Sequence, residues 1–130
     1  MTPRAEPPVD RRKLGAAAED VAAAYLTAQG IDVLLRNYRR RLGELDVVAR
    51  QGDVLLIVEV RTRSSDAFGG AAASVTWHKR RRIVRAAQLL LQQRRDLAKL
   101  RARFDVIVVS ELFAAQPRVE WLRGAFDERG

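Results

Sequence analysis

The sequence predicts an α/β domain in the order helix, three strands, long helix, strand, with a shorter strand closing the chain. Three observations carry that expectation. An alanine-rich segment from Lys13 to Gln29 sets Leu14, Val21, Tyr25 and Leu26 at helical spacing. Two β-branched apolar runs, Leu42–Ala49 and Val54–Thr62, flank the turn chemistry of Gln51-Gly52-Asp53. A second helical pattern ends near Arg94 and leads into another β-branched run, Phe104–Ser110.

Residues 1–12 hold three of the four prolines among mixed charges, so they read as a mobile tail, with the domain proper over residues 13–130. The first helix follows, and Gly30 is placed to end it in a left-handed cap. On it Glu19 shares a face with Gly15, Ala22, Ala23 and Leu26, small neighbours that let a helix approach another layer closely. Ile31–Arg36 reads as a short first strand. Asn37-Tyr38-Arg39-Arg40-Arg41 then reads as a basic connection whose one aromatic can stack on a base while its arginines meet phosphates; a solvated charged loop is the plainer alternative.

After the two hairpin strands, residues 64–73 read as a flexible crossover near the acidic residues, with Asp66 and Phe68-Gly69-Gly70. The long helix starts near Ser74–Trp77, where either hydroxyl residue can cap it. Ile83, Ala86, Ala87, Leu90 and Leu91 form its apolar stripe, opposite His78, Arg81, Arg85, Gln88 and Gln92. Lys79-Arg80-Arg81-Arg82 places positive charge at the helix N-terminus, where the dipole disfavours it, and phosphate binding is one reason for such a cluster. Asp96–Arg101 is ambiguous between connection and further helix. Arg118–Leu122 reads as the last strand, after the turn at Gln116-Pro117, with Trp121 and Phe126 closing a core.

A chain of 130 residues suits one domain, and 48% hydrophobic with 31% charged residues is a globular balance. The net charge of +8 favours an anionic partner, nucleic acid first and an acidic membrane surface second. The absence of cysteine excludes disulfides, zinc thiolates and thiol nucleophiles. No signal peptide or bilayer-spanning run is recognisable, which gives the expectation of a soluble, cytoplasmic protein. His78 is the only histidine and no nucleophile motif accompanies it, so hydrolytic chemistry, if present, rests on carboxylates.

Those carboxylates stand where charge is costly. Asp46 lies between Leu45 and Val47, and Glu59 between Val58 and Val60, so each falls in or at the edge of a buried sheet. A two-residue Gly52-Asp53 loop sets Asp46 opposite Glu59, whereas a four-residue loop from Arg50 to Asp53 sets it diagonal to Glu59; either brings both within reach of one ion. Arg61 shares the face of Glu59, and Asp105 at the start of its strand is a weaker acidic candidate that pairs with Arg103 or a neighbour.

The order of elements, with Asp on the second strand and Glu-x-basic on the third, resembles the PD-(D/E)xK nuclease core. Leu14-Gly15, Glu19, Ala24-Tyr25-Leu26, Asn37-Tyr38-Arg39, Gly43-Glu44-Leu45-Asp46, Val58-Glu59-Val60-Arg61-Thr62-Arg63, Phe68-Gly69, Lys79 and Arg103-Phe104-Asp105 look like the bacterial YraN-like family, which is similar to archaeal Holliday junction resolvases. The resemblance implies a restriction endonuclease-like αβββαβ core with a mixed central sheet flanked by helices. It implies Asp46 and Glu59 as metal ligands with the Val60 carbonyl as a third oxygen, Glu19 as an acid from the helix, and Mg²⁺ or Mn²⁺ as the ion. Arg61 stands where the nuclease pattern has lysine; an arginine stays protonated and serves as a phosphate or hydroxide holder, not a base.

The expected function is therefore metal-dependent endonuclease action on branched or structured DNA, with Asp46, Glu59, Arg61 and Glu19 at the reacting centre. Arg39, Arg40, Arg41, Arg63, Lys79, Arg80, Arg81 and Arg82 are the expected nucleic-acid contacts. A non-cleaving nucleic-acid-binding protein of the same fold is the alternative, and a basic protein–protein adaptor comes third. No membrane association is expected, and a homodimer is left open.

Overall fold

The computed structural model describes residues 11–63 and 75–129. They run through α1 (Arg11–Ala28), β1 (Asp32–Arg40), β2 (Gly43–Gln51), β3 (Val54–Arg63), α2 (Trp77–Gln93), a 3-10 turn (Leu97–Lys99), β4 (Arg101–Ser110) and β5 (Arg118–Phe126). The strands form one mixed sheet in the order β1-β2-β3-β4-β5, antiparallel except where β3 and β4 pair in parallel. This is the expected αβββαβ order, with β5 extending the far edge. The expected crossover at residues 64–73 and nearly all of the expected tail lie outside the described residues. Among the described residues no helix is long and apolar enough to cross a membrane.

The two helices cover opposite faces of the sheet. Ala18, Ala22 and Leu26 of α1 pack on Val47, Ala49, Leu56, Val58, Ile107 and Val109. Ile83, Val84, Ala86, Ala87 and Leu90 of α2 pack on Leu45, Val48, Leu55, Ile57, Phe104, Val106 and Val108. Alternation along β3 assigns Leu55 and Ile57 to one layer and Leu56 and Val58 to the other, so the next side chain, Glu59, turns toward α2. The helix ends are set by local chemistry. The Ile31 amide donates to the Leu26 carbonyl and the Gly30 amide to that of Thr27, both at 3.0 Å, with Gly30 at φ 79. Thr76 caps α2, its hydroxyl accepting from the Lys79 amide at 3.2 Å.

The β2–β3 hairpin closes with Gln51 paired to Val54, leaving a two-residue Gly52-Asp53 loop with Gly52 at φ 60. This is the shorter of the two loops the sequence allows. The recorded pairs continue to Val47 with Val58, and just beyond them the Asp46 carboxylate meets the Val60 amide, next to Glu59 in the chain. Gly43, at the start of β2, lies so close to α2 that a Cβ there would overlap the Arg82 carbonyl oxygen.

One irregularity shapes the site. Along β2, Val47 and Ala49 face α1 while Val48 faces α2, yet Leu45 also faces α2, so the alternation slips at Asp46. Along β1, Leu35 and Tyr38 both face α2, and between them Asn37 adopts φ 55. Arg36 pairs with Val47 and Tyr38 with Leu45, which puts the two slips side by side. The expectation of a basic connection after Arg36 is corrected accordingly, because β1 continues to Arg40. The slip turns Tyr38 inward to 8% exposure, where its hydroxyl donates to Gln93 Oε1 at 2.6 Å. Its ring is therefore a core element and not a surface for stacking a base.

Candidate functional site

The site forms where β2 and β3 part. Asp46 Oδ2 accepts a hydrogen bond from the Val60 amide at 2.8 Å, so a side chain satisfies a backbone donor beyond the last recorded ladder pair. Glu59, on the adjoining position, is 4% exposed. Its Oε1 lies 2.8 Å from Lys79 Nζ, which reaches down from the first turn of α2. Burial and the neighbouring Asp46 carboxylate push the Glu59 carboxyl up to about 8, and Lys79 offsets only part of that rise.

Glu19 approaches from the other layer. Burial and then Asp46 raise its carboxyl above the usual range, opposed by a hydrogen bond from the Asn37 side chain and by the charge of Arg36. Asp46 is thus the shared member of the cluster, interacting with Glu59 on one side and Glu19 on the other. Among the described residues, no three acidic, histidine or cysteine groups converge as a ready-made metal-ligand set. The pair that fits a hard cation is Asp46 with Glu59, neighbouring carboxyl groups that offer hard oxygen donors once Glu59 gives up its proton to a bound ion. Backbone oxygens or water would complete such a shell, with Glu19 in an outer position.

The other acidic candidate is structural. Asp105 is fully buried, and its carboxylate accepts from Arg103 Nε and Nη2, from Trp121 Nε1 and from the Gly124 amide, each at 2.9 Å. Four donors leave no lone pair directed at a ligand.

The basic residues divide by what they touch. Lys79 is paired with Glu59, as described. Arg80 donates through Nε to the Val75 carbonyl at 2.7 Å and lies over Phe126. Arg81 reaches the Glu128 carbonyl at 3.5 Å and lies near the Trp77 ring. Arg82 is exposed and lines a groove with Glu44, Thr76, His78 and Lys79. Arg39, Arg40 and Arg41 are exposed on the β1–β2 hairpin, Arg39 near Glu44 at 3.6 Å and Arg40 over the Tyr38 ring at 4.2 Å. Arg61 and Arg63 are half-buried beyond Glu59 on β3, and alternation keeps both on the face of Glu59.

Two contacts of the candidate site had little sequence signature. Asn37 joins the site through a left-handed backbone, which asparagine tolerates better than most residues. Lys79 stood out in a run of four basic residues and in the family resemblance, with nothing to tie it to Glu59, because that approach depends on how α2 lies across the sheet.

The uncharacterised protein family UPF0102 matches residues 18–109. A UPF0102 protein from Xanthomonas euvesicatoria pv. vesicatoria is 47% identical over 119 residues, covering 92% of this chain and 95% of that protein. One from Pseudomonas paraeruginosa is 42% identical over 128 residues, 98% of this chain and 99% of its own length. A third, from Nitrosomonas europaea, is 44% identical over 114 residues, 88% and 93% respectively.

Proposed function

This chain belongs to the uncharacterised protein family UPF0102, and we propose that it is a metal-dependent endonuclease hydrolysing phosphodiesters in structured DNA. The single observation that carries the reading is the buried Glu59 beside the half-buried Asp46, with Lys79 Nζ at 2.8 Å from Glu59. A buried carboxyl held at about 8 beside a second carboxyl is costly to ionise, and a divalent cation would offset that cost.

Asp46 and Glu59 would hold Mg²⁺ or Mn²⁺. The ion, when bound, supplies Lewis acidity toward a phosphodiester oxygen and lowers the pKa of water for in-line attack. Lys79 offers the compact ammonium donor that position 61 lacks, delivered from α2 instead of from β3, and can hold a water or a phosphate oxygen. Arg61, always protonated, serves as a phosphate holder. Glu19 retains its proton to higher pH than a solvated glutamate does, which suits a group that holds or passes a proton near the centre. The exposed Arg39, Arg40, Arg41 and Arg82 supply phosphate contacts on the surrounding surface.

The specific observation that favours a second reading is arginine at position 61: a protein that binds nucleic acid through the same fold without cutting it. One assay separates the two. Wild type and Asp46→Asn are incubated with junction, flap, single-stranded and duplex DNA in Mn²⁺. Cleavage by wild type and none by Asp46→Asn is the expected result. Binding by both with cleavage of no substrate by either would replace the nuclease reading with the second one.

A further inference from the structure

Gly43 opens β2, and its own backbone does not require glycine: among the described residues the glycines at positive φ are Gly30, Gly52 and Gly124. What sets Gly43 apart is a contact. A Cβ there would overlap the Arg82 carbonyl oxygen and stand 3.0 Å from the Arg82 carbonyl carbon. Both are backbone atoms of α2, so no rotation of a side chain relieves the overlap. Carbon atoms in ordinary contact stand about 3.5–4.0 Å apart, so strand and helix would have to separate. Glycine weakens a strand, and close approach of another backbone is one of the few reasons to find it there.

The strands are pinned at this level. Tyr38 and Leu45, partners across β1 and β2, are 8% and 1% exposed in the layer under α2. The helix is pinned less closely: its first buried residue is Ile83, Val75 is buried just ahead of it, and no residue between those two anchors is buried. A side chain at position 43 would therefore lift the first turns of α2 and leave the hairpin in place. Lys79 is carried by those turns, three residues before Arg82 and on a neighbouring part of the helix surface. It lines a groove together with Arg82 and with Glu44, the residue after Gly43. Its side chain is 43% exposed and the carboxylate it reaches only 3%, so the lysine enters the interior by its tip. A hydrogen bond of 2.8 Å is gone by about 3.6 Å, which leaves that tip little room to retreat.

We infer that Gly43 is a positioning residue: the absence of a side chain there seats the first turns of α2 against β2, and that seat sets the reach of the Lys79 ammonium to Glu59. The pairing itself stands apart from the nuclease reading. Its bearing on the metal rests on that reading and deepens it, because the cation that competes with the ion for Glu59 is then held in place by a backbone contact on β2, three residues before Asp46. One strand carries both a ligand of the proposed ion and the contact that places the ion's competitor.

Lys13, Lys79 and Lys99 are the lysines of the chain, and Lys13 and Lys99 are exposed, so protein labelled with ¹⁵N in lysine reports Lys79 against two internal references. NMR of the metal-free protein at one fixed pH reads the exchange of each ammonium with water in wild type, Gly43→Ala and Glu59→Gln, the last releasing Lys79 with Gly43 intact. Gly43→Ala is expected to speed exchange at Lys79 by about tenfold, the factor that one lost charge-assisted hydrogen bond amounts to, toward the rate in Glu59→Gln. Lys13 and Lys99 are expected to stay within about twofold. Calorimetry gives a second readout: Gly43→Ala is expected to raise Mn²⁺ affinity by up to about tenfold, and to add nothing where Lys79→Met is already present. Folded Gly43→Ala whose Lys79 exchanges within about twofold of wild type would overturn the inference. Gly43→Ala that does not fold, alone or with Lys79→Met, would overturn it too, because the contact would then serve the fold as a whole. Wild type that binds no Mn²⁺, with Lys79 exchange still raised in Gly43→Ala, would uphold the positioning and remove the metal-dependent reading.

Discussion

Lys79 Nζ and Glu59 Oε1 lie 2.8 Å apart, the carboxylate 3% exposed and the amine 43% exposed, so a helix contributes the cation nearest to a buried strand carboxylate. A positive charge at that distance occupies much of the field that a divalent ion would use. On the proposed reading Lys79 takes the place of the ion at Glu59 and would share or yield that carboxylate when one binds.

Lys79→Met keeps the apolar stem and deletes the charge. Mn²⁺ affinity is expected to rise by about tenfold, because a competing cation is gone from the Glu59 carboxylate. DNA affinity is expected to fall. Isothermal titration with Mn²⁺ and with DNA in Ca²⁺ reads both, and an unchanged or weaker Mn²⁺ affinity would rule out the stand-in role.

The raised Glu59 carboxyl gives a pH dependence with a definite sign. Its folded value, about 8, lies above the ordinary 4.5, so folding is favoured by the proton that Glu59 retains. That contribution is complete below the unfolded value and is lost as pH rises through the folded one. Asp46 and Lys79 are the charged groups that act on it, and Glu19 moves in the same direction. In chelator, the melting temperature of wild type should fall between about pH 5 and pH 8 relative to that of Glu59→Gln, which has no proton to lose there. Parallel pH profiles for the two proteins would contradict this.

Asp46 and Asp105 should respond oppositely to the same substitution. Asp105→Asn puts an amide donor among four donors in a fully buried position, and is expected to destabilise the fold by about 3–5 kcal/mol. Asp46→Asn removes a charge that raises both neighbouring carboxyls, while its amide oxygen still accepts from the Val60 amide. Stability at neutral pH is expected to hold or increase as Mn²⁺ binding is lost. Urea denaturation of both variants, with Mn²⁺ titration of the folded one, checks the contrast.

The β2–β3 hairpin and the buried stripe of α2 were legible because their signals are local: two-fold and 3.6-fold periodicities bounded by Gly52 and a hydroxyl cap. That Asp46 and Glu59 come near each other was legible for either of two loop lengths, and the structure has the shorter one. Tyr38 was not legible. Flanked by Asn37 and three arginines it reads as surface, and only the slip in alternation, a joint property of two strands, turns it into the core. Lys79 at Glu59 and the donors around Asp105 depend on contacts between elements distant in sequence, which periodicity does not encode. Val84 in the α2 core shows the same limit, since the width of a buried stripe depends on the layer it meets.

The coincident slips at Asn37 and Asp46 make the lengths of two neighbouring strands interdependent. Removing one residue from β1 near Asn37 would restore even alternation there while leaving β2 irregular, so Tyr38 and Leu45 could no longer share a layer. β1 also shifts register between Val33 and Leu35, where Leu34 and Leu35 both pack on the α2 side, so the strand carries two departures from even alternation within a few residues. The acidic residues thus sit where two neighbouring strands both depart from even alternation, which ties an insertion or deletion in one strand to the layer assignment of the other.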